Sequence, residues 1–493
     1  VNYTGHGGEV GWAHERVLEV ADINSWTNYD KMPVFITATC EFSRYDDPER
    51  VSAGELTFLN AHGGAVTMFT TARPTYAEGN YSLAATFYNN AFKKEAGSYP
   101  RLGDLAMISK NSLPGSANTR KFVLLGDPGL TMAYPELDVV TTSVNGDTTI
   151  SADTLEALSL IEISGEVHDL SGSLAADFNG EVFASVFDKP MVIQTLGDNG
   201  NAVMSFSVQK NQLYSGKVKV QEGKFSYSFI VPKDISYDFG NGKISYYARS
   251  EETDAHGYTP GIVIGGSNPF AAIDETGPEI ELYMNDIFFI NGSVTDQNPT
   301  LLALVSDESG INTIGNGIGH DITAILDDDT QNPVVLNDYY SADLNTYKSG
   351  VISYPLSNLS EGRHHLKLKV WDVYNNSSEA VISFVVAGDD QHLVLNLRNY
   401  PNPFRTSTTF SFETNRTHTD ADIDLSIYNM YGMQVKRFRN TLYLDGYRSE
   451  PVTWDGKDDN GNRCAAGLYV YQVRVTLPDG TETAAGAKLM YMP

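Results

Sequence analysis

The run Val34-Phe35-Ile36-Thr37-Ala38-Thr39 is apolar or β-branched at every position and stops at Cys40. An unbroken run of this kind reads as a strand buried on both faces. Val1-Asn2-Tyr3-Thr4, Ala65-Val66-Thr67-Met68-Phe69-Thr70 and Lys121-Phe122-Val123-Leu124-Leu125 read the same way. Between them the period lengthens. A helix is predicted from about Ser52 to Ala61, closed by His62-Gly63-Gly64 with Gly63 as its C-cap. Asn80 to Glu95 sets Leu83, Phe87 and Ala91 on one stripe, with Tyr88 and Phe92 beside it. Leu102 to Ser109 is a further helix. This β-α-β-α-β order predicts an α/β layer fold with a mainly parallel sheet over residues 1–134.

From Pro135 the helical period stops. Short alternating runs follow, among them 218–221, 225–231 and 244–248, separated by Gly, Asn and Asp. That grammar predicts β-sandwiches. A polar, Pro-bearing stretch from Asn268 to Pro278 reads as a linker. Beyond it, His365 to Asp372 alternates strictly, and 380–386 is again strand. Gly388-Asp389-Asp390 opens a last unit, introduced by Asn399-Tyr400-Pro401-Asn402-Pro403-Phe404. Its strands are predicted at Thr409–Glu413, Asp424–Tyr428, Gln434–Phe438, Pro451–Trp454, Gly467–Val475 and Lys488–Tyr491. The expected organisation is a multidomain chain: an α/β domain at 1–134, then three all-β Ig-like sandwich domains at 135–272, 273–388 and 389–493.

Length agrees with this, because 493 residues exceed what one core can organise. Apolar content of 41% is that of ordinary globular protein. No apolar run approaches the roughly 20 residues that cross a bilayer as a helix. A formal net charge of −28 argues against nucleic acid and against anionic lipid. Acidity mostly signals a solvated surface. Clustered carboxylates at Asp327-Asp328-Asp329 and in the turn 455–462 keep calcium as a second reading, although the turn lacks the spacing and closing Glu of an EF-hand. No other cofactor is expected. With two cysteines, Cys40 and Cys464, this is no disulfide scaffold. Cys464 reads as a small buried side chain. The chain opens in mid-strand without a start Met, so we expect it to be the C-terminal part of a longer protein whose earlier strands complete the sheet.

The chemistry gathers at two strand ends. His6 precedes Cys40 by 34 residues, and each follows a predicted strand. The end of a parallel strand opens on a cleft. Two neighbouring strands can therefore present an imidazole and a thiol together, the minimum for nucleophilic thiol catalysis. Gly7 and Gly8 let a substrate carbonyl approach the backbone, so the N–H groups of Gly7 and Cys40 are the oxyanion candidates. His62 competes for the role of base, though capping a helix end explains it. Glu9 and His14 lie near His6 without a required role. Glu41, Arg44, Asp46 and Asp47 read as a solvated loop. His364 and His365 would face opposite sides of a strand and make a poor metal site.

Strand, His-Gly, strand, Cys in that order resembles the caspase-like cysteine peptidases. Asn2-Tyr3-Thr4-Gly5-His6-Gly7, the Cys40 strand and Leu125-Gly126-Asp127-Pro128 resemble the gingipain family within them. Asn399-Tyr400-Pro401-Asn402-Pro403 and Gly467-Leu468-Tyr469-Val470-Tyr471 resemble the C-terminal signal domains of type IX secretion cargo, and the whole chain resembles the sortases of that system. The resemblance implies His6 and Cys40 as the catalytic pair. It implies removal of cargo signal domains and transfer of the new C-terminus, through a thioester, to an anionic lipopolysaccharide. It implies docking on an outer-membrane β-barrel protein of the PorV type at the cell surface. A third, acidic residue orienting the imidazole is expected upstream, so that this segment alone is inactive. A secreted endopeptidase without transfer activity and a non-catalytic adhesin are the alternatives.

Overall fold

The computed structural model describes residues 1–493 except 96, 150–152, 315–318, 387–393, 415, 417–418 and 445–448. The chain forms two compact units, Val1–Pro135 and Glu136–Pro493.

In the first unit β1 (Asn2–Thr4) is followed by a small sheet of β2 (Gly7–Gly8), β3 (Gly11–Trp12) and β4 (Leu18–Glu19) and by the helix α1 (Val20–Ser25). The main sheet has four strands in the order β1, β5 (Val34–Ala38), β6 (Thr67–Thr71) and β7 (Phe122–Leu125). β1 runs parallel to β5, with Tyr3 opposite Thr37 and Thr4 opposite Ala38. β5 runs parallel to β6. β7 is antiparallel to β6, so two of the three pairings are parallel and the sheet is mainly parallel, with one antiparallel edge. Both faces of the sheet are covered, which is why β5 and β6 carry no alternation. Ile36 and Phe69 pack under α3 (Ala77–Ala91) and α4 (Leu102–Asn111), against Leu83, Phe87 and Leu105. Phe35 and Met68 face the other way, toward Trp12, Ile23, Phe42 and Ala53. Thr37, Thr70 and Thr71 find partners across the sheet, whereas the buried Thr39 hydroxyl has none among the described residues. Thr37 Oγ1 bonds Thr70 Oγ1 at 2.7 Å, and Thr71 Oγ1 donates to the Thr39 carbonyl at 2.6 Å.

The helix α2 (Ala53–Leu59) is opened by Ser52, which accepts from the Glu55 amide in a capping box. Gly63 does not close it. The C-cap is Asn60, and the left-handed residue is Gly64, at φ +91°.

The second unit holds three separate apolar cores. The first is enclosed by one continuous eight-stranded sheet, not by the two facing sheets of a sandwich. Register shifts at Ser164/Gly165, Val186/Phe187 and Gly242/Lys243 bend it round its own core. The other two cores each lie between a pair of sheets. One spans 279–386 and is packed from Leu301, Leu366, Leu368 and Phe384. The other spans 394–491 and centres on Trp454, Phe404, Tyr471 and Tyr491. Its first strand, Val394–Tyr400, begins before the Asn399–Phe404 stretch expected to introduce its strands. Gly388-Asp389-Asp390 lies outside the described residues. The stretch 268–278 carries no helix or strand. Asp234 joins the first two cores by accepting from His320 Nδ1 at 2.8 Å, Asn312 Nδ2 at 2.9 Å and Asn375 Nδ2 at 2.7 Å.

Candidate active site

His6 and Cys40 stand at equivalent places on adjacent parallel strands, each two residues beyond the last paired position, Thr4 opposite Ala38. Gly5 N–H still reaches the Ala38 carbonyl at 3.4 Å. Neighbouring strands lie about 4.8 Å apart, so the two strand ends open side by side. The contact continues past the paired residues. A Cβ built on Gly7 would meet Thr39 Oγ1 at 2.5 Å, so only glycine lets the His6–Gly7 backbone close on the residue before the thiol.

Cys40 is half-buried and His6 exposed. Past Cys40 the chain turns sharply. Glu41 sits at φ +49°, a strained value for a residue with a side chain. Phe42 then plunges into the core, and Ser43 N–H bonds the Thr71 carbonyl at 2.9 Å. The sulfur is thereby held at a kink between a buried strand and a buried anchor. Thr75, just ahead of α3, donates its backbone N–H to Cys40 Sγ at 3.4 Å. Its hydroxyl bonds the Thr39 carbonyl at 3.0 Å. Nothing about Thr75 in the sequence signals this role.

The imidazole is carried by a small hairpin of β2 (Gly7–Gly8) and β3 (Gly11–Trp12). The His6 carbonyl accepts from Ala13 N–H at 2.8 Å and from the Tyr3 hydroxyl at 2.5 Å. The first of these bonds puts Gly7 opposite Trp12 at a non-hydrogen-bonded pair of the ladder. The Gly7 N–H therefore points away from its hairpin partner, as an oxyanion donor must. Tyr3 stacks on Trp12 at 4.3 Å, and Trp12 packs against Phe42 at 5.4 Å.

The loop after the thiol differs from a solvated one. Phe42 and Ser43 are buried, and Arg44 Nη1 lies 2.6 Å from Glu9 Oε1, with Glu41 and Asp47 within 4 Å. Asp46 pairs with Arg73, which holds its carboxyl below the usual range. His62 is excluded from the cleft by topology. It lies in the loop that leads into β6, and Gly64 N–H bonds Asn28, ahead of β5. That is the N-terminal edge of the parallel strands, whereas Cys40 is at the C-terminal edge. His14 is exposed beyond the hairpin.

Residues 1–133 match the sequence profile of peptidase family C25. The match spans nearly the whole of the first unit, Val1–Pro135. No curated protein sequence matches the chain. Among solved structures, dimeric latent PorU from Porphyromonas gingivalis is 31% identical, with a TM-score of 0.35, over 82% of this chain and 39% of that one. The complex of the RgpB pro- and mature domains from the same organism is 13% identical, with a TM-score of 0.25, over 52% of this chain and 53% of that one. The chain thus spans about two fifths of the PorU chain and about half of the RgpB chain.

Outside the C25 unit, the two calcium candidates form turns from their own atoms. Asp329 accepts from Gln331 and Asn332, and Asp458 from Asn460 and Asn462. The carboxylates of Asp274, Asp307 and Asp372, scattered in sequence, converge within 4.8 Å instead. Burial, with Asp372 and Asp274 adding to it, pushes Asp307 up to about 6. Cys464 is half-buried rather than enclosed, and burial raises its thiol pKa.

Proposed function

We propose that Cys40 is the nucleophile and His6 the acid–base partner of a cysteine peptidase that cuts cargo just ahead of a C-terminal signal domain. The observation that carries this reading is the in-register parallel pairing of β1 with β5, which sets both residues at one sheet edge. The Cys40 sulfur attacks the scissile carbonyl carbon, and the tetrahedral oxyanion takes the Gly7 and Cys40 amides as donors. His6, holding the thiol proton, gives it to the departing amine as the C–N bond breaks. A thioester to Cys40 remains. Water would release a free C-terminus. An amine carried by an anionic lipopolysaccharide would form a new amide, and the protein would then act as a sortase. PorU, the 31% identical structure, is a whole protein more than twice as long, so transfer is our proposal for this chain and not a property carried over. In the same reading the last domain docks on an outer-membrane β-barrel protein at the cell surface.

Replacing Cys40 by Ala in the complete protein is expected to leave cargo uncut, with its terminal domain attached. His6→Ala should slow cutting by ~10²–10⁴-fold, the usual worth of a positioned acid–base group. Mass spectrometry of the cargo's new C-terminus separates the two fates, a free carboxylate for hydrolysis and a conjugate for transfer. Normal cargo processing by Cys40→Ala would end the assignment.

A further inference from the structure

We infer that Glu9 and Arg44 are a positioning pair that holds the imidazole-bearing hairpin against the thiol-bearing loop. The inference rests on the reading of His6 and Cys40 as the reacting pair.

The two elements that must meet are built independently. His6 leads into the β2–β3 hairpin, whereas Cys40 lies at the kink after β5. Their strands pair only as far as Thr4 and Ala38, and the Gly5–Ala38 bond and the packing of Gly7 on Thr39 continue the contact by one or two residues. Beyond them the hairpin tip and the loop are short irregular backbone, and His6 is exposed. A tie between tip and loop matters there, because a misplacement of about 1 Å between reacting groups costs ~10²-fold in rate.

Glu9 stands at the tip of the hairpin, three residues after His6. Its side chain is only 12% exposed, and its carboxylate bonds Arg44 Nη1 at 2.6 Å and Arg50 Nη1 at 3.3 Å. Arg44 stands four residues after Cys40. The Glu9 carbonyl also accepts the Ala53 N–H at 2.7 Å, at the first residue of α2. The hairpin tip is thus fastened by a charged bond to the loop and by a backbone bond to the helix. Trp12 on Phe42, at 5.4 Å, closes the same seam from the apolar side. The arginine side of the pair is 36% exposed, so its part is to fix geometry through a charged hydrogen bond and not to add much stability. Glu9 and Arg44 act through His6 and Cys40 and touch no substrate.

The test uses the complete protein and two probes of Cys40. A peptidyl acyloxymethyl ketone reacts only with a thiol aligned to its histidine. Iodoacetamide at pH 10, where any thiol is ionised, reports access alone. Modification is mapped to Cys40 by mass spectrometry, since Cys464 is also free. Glu9→Gln and Arg44→Lys are each expected to slow the ketone about 10- to 100-fold while iodoacetamide changes less than twofold. The double variant should be no slower than the worse single one, as for residues that act as a unit. Cleavage kinetics should show the loss in kcat with KM nearly unchanged. Ketone reactivity within twofold of the parent for folded Glu9→Gln overturns the inference. So do losses that multiply in the double variant, or a loss confined to KM. If Glu9→Gln fails to fold, Arg44→Lys, which keeps the charge and loses the planar fork, decides the matter by the same rates. A parent protein whose Cys40 ignores the ketone but takes iodoacetamide would instead overturn the reading of the site itself.

Discussion

His364 shows how much a single residue's partners decide. It is 7% exposed, and its Nε2 donates to the Ser360 carbonyl at 2.7 Å while its Nδ1 meets the Asp327 carboxylate at 2.6 Å. A carbonyl and a carboxylate only accept, so both ring nitrogens must carry protons to use both bonds. Burial opposes the charged ring, but the Ser360 carbonyl and Asp327 outweigh it and raise the pKa above the ordinary value. The groups facing the ring are Asp327 and Ser360, with the Phe384 ring stacked on it and His365 and Asp328 beyond Asp327. The folded state therefore holds this proton more tightly than the unfolded chain. The stabilisation is complete below the unfolded value of 6.5 and is lost as pH rises through the raised folded value. Thermal unfolding of the second unit should show melting temperature falling as pH climbs above about 7, and His364→Gln should flatten that fall. An unchanged slope would show that the ring is neutral in the fold. Alternation along the strand already tells that His364 and His365 point apart. It cannot tell that both reach one carboxylate, because Asp327 and Asp328 arrive through a turn with φ of +49° and +58°.

At the scale of elements, the end of α2 is set by one glycine. A Cβ on Gly64 would stand 1.9 Å from the Thr57 carbonyl oxygen, in a backbone conformation that side chains avoid. Gly64→Ala is expected to destabilise the first unit by about 2 kcal/mol or more, read by chemical denaturation. Gly63→Ala crowds Asn28 at 2.3 Å by side chain and at 2.7 Å by backbone, so it too should cost stability, without the left-handed term. The sequence displays His62-Gly63-Gly64 as a helix stop. Which glycine turns left-handed depends on Asn28, 36 residues away, whose side chain takes the Gly64 amide. The same division runs through the site. Val34–Ala38 and Asn2–Thr4 are legible as strands from their residues alone, and the α/β order of the later segments predicts a mainly parallel sheet, although the short helix Val20–Ser25 between these two strands is not legible. The antiparallel entry of β7 is illegible, because α5 (Ala117–Lys121) is only five residues long and reverses the chain without a hydrophobic period to betray it. Thr75 at the sulfur and Arg44 at Glu9 are illegible for a like reason. Each is brought to its partner by the sheet, 35 residues away. In the second unit, alternation finds the strands but not whether they make one sheet or two. That choice is made by the bulges, such as the one at Ser164/Gly165.

Over the whole molecule, 62 acidic residues against 34 basic ones leave −28 charges, and the fold must carry that repulsion. Three of these carboxylates, Asp274, Asp307 and Asp372, converge within 4.8 Å, with Asp372 wholly buried. Burial, reinforced by its acidic neighbours, lifts Asp307 from 3.8 to about 6. Between those values the folded state keeps a proton that the unfolded chain gives up, so stability falls as pH rises from about 4 to 6. Other carboxylates pull the opposite way. Hydrogen bonds from Arg437 lower Asp424 to about 2, and His168 and Lys224 lower Glu166. Their stabilisation is present above the unfolded values near 4 and is lost as pH falls further. The two slopes meet near the unfolded carboxylate values, and the second unit should be most stable near pH 4. Asp307→Asn keeps the oxygen that accepts the Ser309 and Gly310 amides and removes the charge. It is expected to stabilise the unit at pH 7 by on the order of 1 kcal/mol, after discounting for solvent screening. Calorimetry from pH 3 to pH 8 would then show the optimum broadened toward neutrality. An optimum that stays near pH 4 and no broader in Asp307→Asn would mean that this carboxylate does not set the pH dependence of the unit.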